Sequence, residues 1–255
     1  MEKKIAVIGG DMRQSILAAL LGSDGYSVGS YGLSSTEGEG IPDSIETTDD
    51  LKDFDAVILP MPVTQDGENI NAPMYDKKIP LNSVMRSIPA NTVVLGGKLP
   101  VELVKQYKQL SFYDYLERED FAVKNAVATA EGALAIAINE TPFTLWHCRC
   151  LVTGFGRISK MLIRMLIALG AHVDVAARKC SDRAWAQTMS CGAYDTGEIK
   201  KYIGNYDLIF NTVPYRLIDG EVLKNIKMDA LVIDLASKPG GAGVGLDKKI
   251  IPLPS

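Results

Sequence analysis

The chain carries one plan twice. "KIAVIGG" (4–10) and "RCLVTGFG" (149–156) are short apolar runs that break at glycine, and an apolar helical pattern follows each, "RQSILAALLG" and "RISKMLIRMLIALG". A second run comes next in each half, "YSVGSYGL" and "AHVDVAARK". Farther on, "DAVILPMP" (55–62) matches "DLIFNTVP" (207–214) in register down to the closing proline, and "TVVLGGKLP" (92–100) matches "ALVIDLASKPGG" (230–241). Short strands alternating with helical patterns predict βαβ units, and strands that are apolar throughout are covered on both faces. The fold class expected is α/β: two doubly wound parallel-sheet, Rossmann-like domains with a ligand cleft between them.

Between the copies lies "LEREDFAVKNAVATAEGALAIAINETPFTLW" (116–146), whose alanine-rich run has strong helix propensity. Thr141-Pro142 should stop it, because the residue before proline is driven out of the helical region. A long helix over about 117–140 is expected to join the domains. The division expected is 1–140 for a substrate-side domain that includes this helix, and 141–255 for a second domain.

Composition removes several classes. A length of 255 residues suits two domains of roughly 100–150 residues each. A net charge of −4 offers no general attraction for nucleic acid or an anionic membrane, so neither is an expected partner. No uninterrupted apolar run reaches the roughly 18 residues of a membrane span, and the first run is too short for a signal peptide. Four cysteines without a CxxC pair and only two histidines predict no metal site and fit a reducing cytoplasm.

The chemistry is concentrated at the second glycine turn. Gly154-Phe155-Gly156-Arg157-Ile158-Ser159 reads G-x-G-x-x-S. The first glycine permits a tight turn, the second lets backbone approach a pyrophosphate, and a small residue in the third place lets helix and strand pack closely. Strand before and helix after are the context that such a motif requires. An NAD site would place an acidic residue at the end of the next strand. That position is Ala177; Asp174 falls three residues too early. Arg178 and Lys179 follow, with Ser181 close by, so a 2′-phosphate meets cations instead of a carboxylate. NADP is expected in preference to NAD. Asn211, Thr212, Val213 and Pro214, and Ser237 after the following strand, should flank the nicotinamide ribose.

The first copy lacks the motif in "GGDMRQ" (9–14), so its strand ends are expected to hold substrate. Asp11 and Arg13 stand at a helix start, and Lys98 is a cation at another strand end. Thr129 and Glu131 lie on the joining helix. Arg13, Asp11 and Thr129 are the substrate-binding candidates. Lys98 and Glu131 are the catalytic ones, with Glu131 as proton acceptor.

"IAVIGGDMRQ", "LPMPVT", "GGKLP", "AVKNAVATAEGALAIAI", "VTGFGRISKMLIRMLIALGAHVDVAARK", "FNTVP" and "VIDLASKPGG" together resemble the dipicolinate synthase A-subunit family, over residues 3 to about 241. More distantly the plan is similar to the D-2-hydroxyacid dehydrogenase, alanine dehydrogenase and adenosylhomocysteinase group. The resemblance implies oxidation of a dihydro- or hydroxytetrahydro-dipicolinate to dipicolinate (pyridine-2,6-dicarboxylate) in sporulation. A nicotinamide cofactor takes the hydride, and a flavoprotein-like B subunit is the partner. A homo-oligomer is also expected. One departure stands out: after Gly241 the chain reads "AGVGLDKKIIPLPS", where the family continues with a further strand, a Pro-Gly-Lys turn and a closing helix. A shortened or altered C-terminal end is therefore expected.

Two other readings compete. A 2-hydroxyacid dehydrogenase would use a histidine beside a carboxylate, but His147 precedes the glycine strand and His172 opens the adenosine-side strand. A regulatory subunit could bind the dinucleotide without turning it over.

Overall fold

The computed structural model describes residues 3–33, 44–236 and 249–252. The chain divides into two compact units, Met1–Glu119 and Asp120–Ser255. Each is built on one parallel sheet, which is the α/β class that the repeated strand–glycine–helix pattern predicts.

The first unit runs β1 (Lys4–Ile8), α1 (Met12–Ser23), β2 (Ser27–Tyr31), β3 (Ala56–Ile58), α2 (Leu81–Ser87), β4 (Val93–Gly96), α3 (Val101–Gln106) and β5 (Ser111–Asp114). Its sheet order is β2-β1-β3-β4-β5, all parallel. Successive residues Ala6, Val7 and Ile8 are fully buried, so both faces of the central strand are covered.

The second unit opens with α4 (Glu119–Glu140, its first residue just before the division). It continues through β6 (Arg149–Thr153), α5 (Arg157–Ala168), β7 (His172–Ala176), α6 (Cys180–Thr188), β8 (Gly192–Tyr194), α7 (Ile199–Tyr202), β9 (Leu208–Asn211), α8 (Gly220–Leu223), β10 (Leu231–Asp234) and β11 (Lys249–Pro252). The sheet order is β11-β10-β9-β6-β7-β8. The chain thus winds outward from β6 on one side, returns to β9, and winds outward on the other. This is the order of dinucleotide-binding sheets, with its reversal at β6 and β9.

Two expectations from sequence change here. The boundary at 140 put the long helix with the first domain, whereas the compact division falls at 119/120. Ala130, Ala133, Leu134 and Ala137 recur at helical spacing and are buried in the same cluster as Cys150, Val152 and Phe210 of the second sheet. The helix is long and apolar enough, by length and composition, to cross a membrane, although no uninterrupted apolar run revealed it. Its alanine face is committed to that core. The C-terminal stretch expected to be altered supplies a strand: Lys249–Pro252 pairs with β10 as the sixth strand of the sheet. Lys249 further donates to Glu140 O at 2.9 Å and pairs with the Glu140 carboxylate, pinning the C-terminal turn of α4, where a cation is favoured.

The duplication extends to single hydrogen bonds. Asp55 accepts from Lys4 N at 2.7 Å, and its counterpart Asp207 accepts from Arg149 N at 3.1 Å. In each unit the acid before the returning strand locks the first residue of the central strand.

Candidate functional site

The two glycine turns share a frame and differ in chemistry. Gly9 N donates to Tyr31 O, and Gly154 N donates to Ala176 O, both at 2.8 Å. Both glycines adopt left-handed backbone, φ 64° and 89°, which favours glycine. Counting on, Asp11 precedes α1 where Gly156 precedes α5. That single difference decides which helix start is open.

At α1 the start is filled by the chain itself. Asp11 accepts from Arg13 N at 2.9 Å and from the Arg13 guanidinium at 2.7–3.1 Å. The Arg13 guanidinium holds the Asp11 carboxyl below the usual carboxylate range, so it is charged at neutral pH and stays paired across the helix start. Gly10 N is also taken, donating to Asn71 O at 2.8 Å. A methyl group on Gly9 would meet Ile70 Cγ2 at 2.7 Å, because the 70–72 segment lies against the turn.

At α5 the start is open. Gly156 has φ −83°, allowed for any residue, and a Cβ there would meet nothing within 4 Å. Neither backbone strain nor packing requires glycine at this position. What does fit is a ligand that must approach the backbone, with the helix-start amides and the helix dipole facing it. Gly154 is different: its Cβ would meet Thr212 Oγ1 at 2.6 Å and Val213 Cγ2 at 3.2 Å, so the β9 loop is seated against the glycine turn. Ser159, in the third motif place, is fully buried, and its hydroxyl lies 2.8 Å from Thr212 Oγ1. Thr212 Oγ1 is also 2.8 Å from Thr153 O, to which it donates.

Behind the turn, one rung of the sheet is polar. Thr153, Asn211 and Asp234 pair across β6, β9 and β10. Thr153 Oγ1 donates to Asn211 Oδ1 at 2.6 Å, and Asn211 Nδ2 donates to Asp234 Oδ1 at 2.8 Å and to Val213 O at 3.2 Å. Ala236 N donates to Asp234 Oδ1 at 3.1 Å. All three side chains are buried. The matching positions of the first unit are Ile8, Leu59 and Gly96, with no polar side chain. Sequence reasoning singled out Asn211 but missed Thr153 and Asp234, whose signal is a polar residue closing an otherwise apolar strand.

The other expected cofactor residues fall around these strand ends. Phe155 is half-buried, with Lys160 Nζ 5.3 Å from its ring centroid. Arg157 is exposed as the first residue of α5, and Ile158 packs on the core. Ala177 is buried, Arg178 and Lys179 are exposed, and Ser181 is exposed in the first turn of α6. Thr212 and Val213 are half-buried and Pro214 is exposed. Ser237 lies outside the described residues. Asp174, three residues early, braces the sheet instead, accepting from Tyr206 Oη at 2.8 Å and from Gly192 N at 3.1 Å.

In the first unit, Lys98 sits after β4 with φ 58°. Its turn is held by Asp114, which accepts from Lys98 N, Leu99 N and Leu116 N at 2.8–3.2 Å. The Lys98 ammonium is exposed and makes no ion pair among the described residues. Sequence reasoning missed Gln14 and Tyr115, which both donate to Leu59 O, at 3.3 and 3.1 Å, beside Arg13. Burial pushes the Tyr115 phenol up to about 12, so it is a neutral donor at physiological pH. Thr129 and Glu131 lie on α4 in the second unit. Thr129 Oγ1 donates back to Asn125 O at 3.0 Å, and Glu131 is exposed. The chain's two histidines face each other at 3.2 Å, His147 Nδ1 to His172 Nε2, at the amino ends of β6 and β7. Among the described residues no group of three or more metal-ligating side chains occurs.

Comparison with known proteins agrees with this geometry. The chain is 29% identical to the dipicolinate synthase A-subunit of Bacillus subtilis (strain 168) over 245 residues, covering 93% of this chain and 82% of that protein. The crystal structure of the dipicolinate synthase A-subunit from Bacillus halodurans superposes with a TM-score of 0.84 at 27% identity, over 98% of this chain and 90% of that one. A transhydrogenase from Sinorhizobium meliloti shares the fold at a TM-score of 0.66 and 15% identity, over 97% and 86% of the two chains. The family model for the dipicolinate synthase A-subunit N-terminal domain matches residues 4–116, which is nearly all of the first unit. Residues 4–116 therefore match the dipicolinate synthase A-subunit N-terminal domain model, and the chain as a whole is similar to the A-subunit of that synthase.

Proposed function

We propose that the second unit binds a nicotinamide dinucleotide, NADP in preference to NAD, and that the chain uses it to oxidise a cyclic dicarboxylate to dipicolinate. The observation that carries this reading is Gly156, an uncapped helix start with open space where a side chain would stand. A bound nicotinamide supplies the hydride acceptor. Aromatising a dihydro-dipicolinate ring releases one hydride and one proton, so the protein has to orient the ring, hold two carboxylates and take up the proton. The amides after Gly154 and Gly156 hold the pyrophosphate. Asn211 and Thr212, fixed by the buried network, orient the nicotinamide ribose. Arg178 and Lys179 pair with the 2′-phosphate.

In the first unit Arg13 and Lys98 are the cations for the substrate carboxylates, since two buried negative charges require partners. Asp11 keeps the Arg13 fork in one orientation, and Tyr115 and Gln14 extend the donor set. Glu131 on α4 is the proton acceptor. A second, flavoprotein-like subunit is the proposed partner, because the relatives are named as the A-subunit of a synthase. A homo-oligomer in the cytoplasm completes the proposal. The histidine-dependent 2-hydroxyacid chemistry is disfavoured, because both histidines lie at the amino ends of the strands, opposite the glycine turn.

Titration of the chain with NADP, NAD and dipicolinate, followed by calorimetry, tests the reading. Alanine at both Arg178 and Lys179 should weaken NADP binding about tenfold to a hundredfold and leave NAD nearly unchanged. Equal affinity of the wild type for both nucleotides would remove the preference. Arg13→Ala should weaken dipicolinate binding about thirtyfold, the equivalent of about 2 kcal/mol, without changing NADP affinity. A folded Arg13→Ala variant that binds dipicolinate normally would reduce the Asp11–Arg13 pair to a helix cap.

A further inference from the structure

The carboxylate missing from the end of β7 is present one strand away. Ala176 pairs with Tyr194 in the register of β7 and β8, so Ala177 and Asp195 leave the sheet side by side. Ala177 N donates to Tyr194 O at 3.0 Å at that same exit. An acid at the end of β7 would select NAD, because it accepts from the ribose hydroxyls and repels a 2′-phosphate, and Asp195 stands next to that place.

The Asp195 carboxylate is already engaged. Oδ1 accepts from Gly197 N at 2.8 Å, and Oδ2 accepts from Arg183 Nη1 at 2.7 Å. The same Nη1 donates to Ala177 O and to Arg178 O, both at 2.8 Å, and Arg183 Nη2 lies 3.1 Å from Cys180 Sγ. One guanidinium in the first turn of α6 thus contacts the residues leaving β7 and the acid beside them. The Arg183 side chain is only 21% exposed, so solvent screens this pair less than an ordinary surface pair. Arg178 and Lys179 are exposed on the same exit, and Asp182 is the acid in the first turn of α6.

We propose that Arg183 is a positioning residue for cofactor choice. By pairing with Asp195 and occupying the carbonyls of Ala177 and Arg178, it turns a ribose corner that contains a carboxylate into one that accepts a 2′-phosphate. The inference deepens the NADP reading and rests on it. Without Arg183, Asp195 becomes an unpaired acid next to the NAD-selecting place, and two backbone acceptors are left bare beside the phosphate. A purely structural staple makes a different prediction: its loss weakens both nucleotides alike, and removing Asp195 as well brings no recovery.

The test measures dissociation constants of NADP and NAD by fluorescence titration of the full chain, for wild type, Arg183→Met, Asp195→Asn and the double variant. Circular dichroism melting checks that each is folded. Wild type should prefer NADP by about tenfold or more. Arg183→Met should lose at least tenfold for NADP and little for NAD, so that the preference disappears. The double variant, with no carboxylate left to neutralise, should recover most of it. Asp195→Asn alone keeps one of the two hydrogen bonds that the carboxylate accepts, frees the Arg183 charge and should strengthen NADP binding severalfold. This variant serves also where Arg183→Met does not fold. A wild type without NADP preference would overturn both the cofactor reading and this inference. A wild type that prefers NADP would overturn the inference alone in any of three cases: Arg183→Met keeps the preference, the double variant shows no recovery, or Asp195→Asn leaves the ratio unchanged.

Discussion

Gly156→Val is expected to abolish dinucleotide binding while the second unit stays folded. The position is the N-cap of α5, at φ −83°, and a Cβ there meets no protein atom within 4 Å. A valine is therefore accommodated by the protein, at a cost of about 1 kcal/mol or less for a poorer cap. Its methyl groups occupy the space through which a pyrophosphate must approach the amides. Affinity should fall more than a hundredfold, equivalent to about 2.7 kcal/mol, with a melting temperature within a few degrees of wild type. Gly154→Val is the contrasting variant. It combines φ 89° with a Cβ 2.6 Å from Thr212 Oγ1, and should lose stability first. Nucleotide titration and thermal melting of both variants check the pair. Retained nucleotide affinity in folded Gly156→Val would move the pyrophosphate away from this turn.

Asn211→Leu is expected to destabilise the second unit by about 2–4 kcal/mol, and to weaken any ligand held at the β9 loop as well. The branched shape is conserved, so no cavity enters the comparison, and the bulkier methyl groups add overpacking strain at a fully buried position. What is lost is the centre of a buried network. Thr153 Oγ1 loses its acceptor, Asp234 loses the amide donor at 2.8 Å, and Val213 loses contacts from both ends of the Asn211 amide. Buried polar groups that lose a partner bear a desolvation cost, and the Asp234 carboxylate, 7% exposed, keeps the Ala236 amide but loses its side-chain donor. Urea denaturation followed by fluorescence measures the effect. A change below about 0.5 kcal/mol would mean that the network contributes nothing to stability.

Some elements were absent from the sequence reading for identifiable reasons. β8 is three residues, "GAY", too short to carry a period, and it exists because Ala176, Val175 and Asp174 offer it an edge. β11 follows a stretch whose composition reads as a loop, and its pairing with β10 is non-local. The helix boundary at Thr141-Pro142 was legible, because proline acts on its own neighbour. The unit to which that helix belongs was not, since an alanine face packs equally well on any sheet until its partner is known.

The sequence by itself determined that the chain is two α/β units and that only the second glycine turn carries the G-x-G-x-x-S pattern. Those properties are local: a run of apolar residues, a glycine at positive φ, and Asp11 or Gly156 immediately before a helix. Tertiary structure alone decided what surrounds each turn. Asn71 O takes the amide of Gly10 from 61 residues away, Thr153, Asn211 and Asp234 meet on one rung, and Asp195 arrives beside Ala177 from the neighbouring strand. Counting along β7 could find no acid at its exit, because in a parallel sheet the nearest side chain belongs to the next strand, separated in sequence by a whole helix.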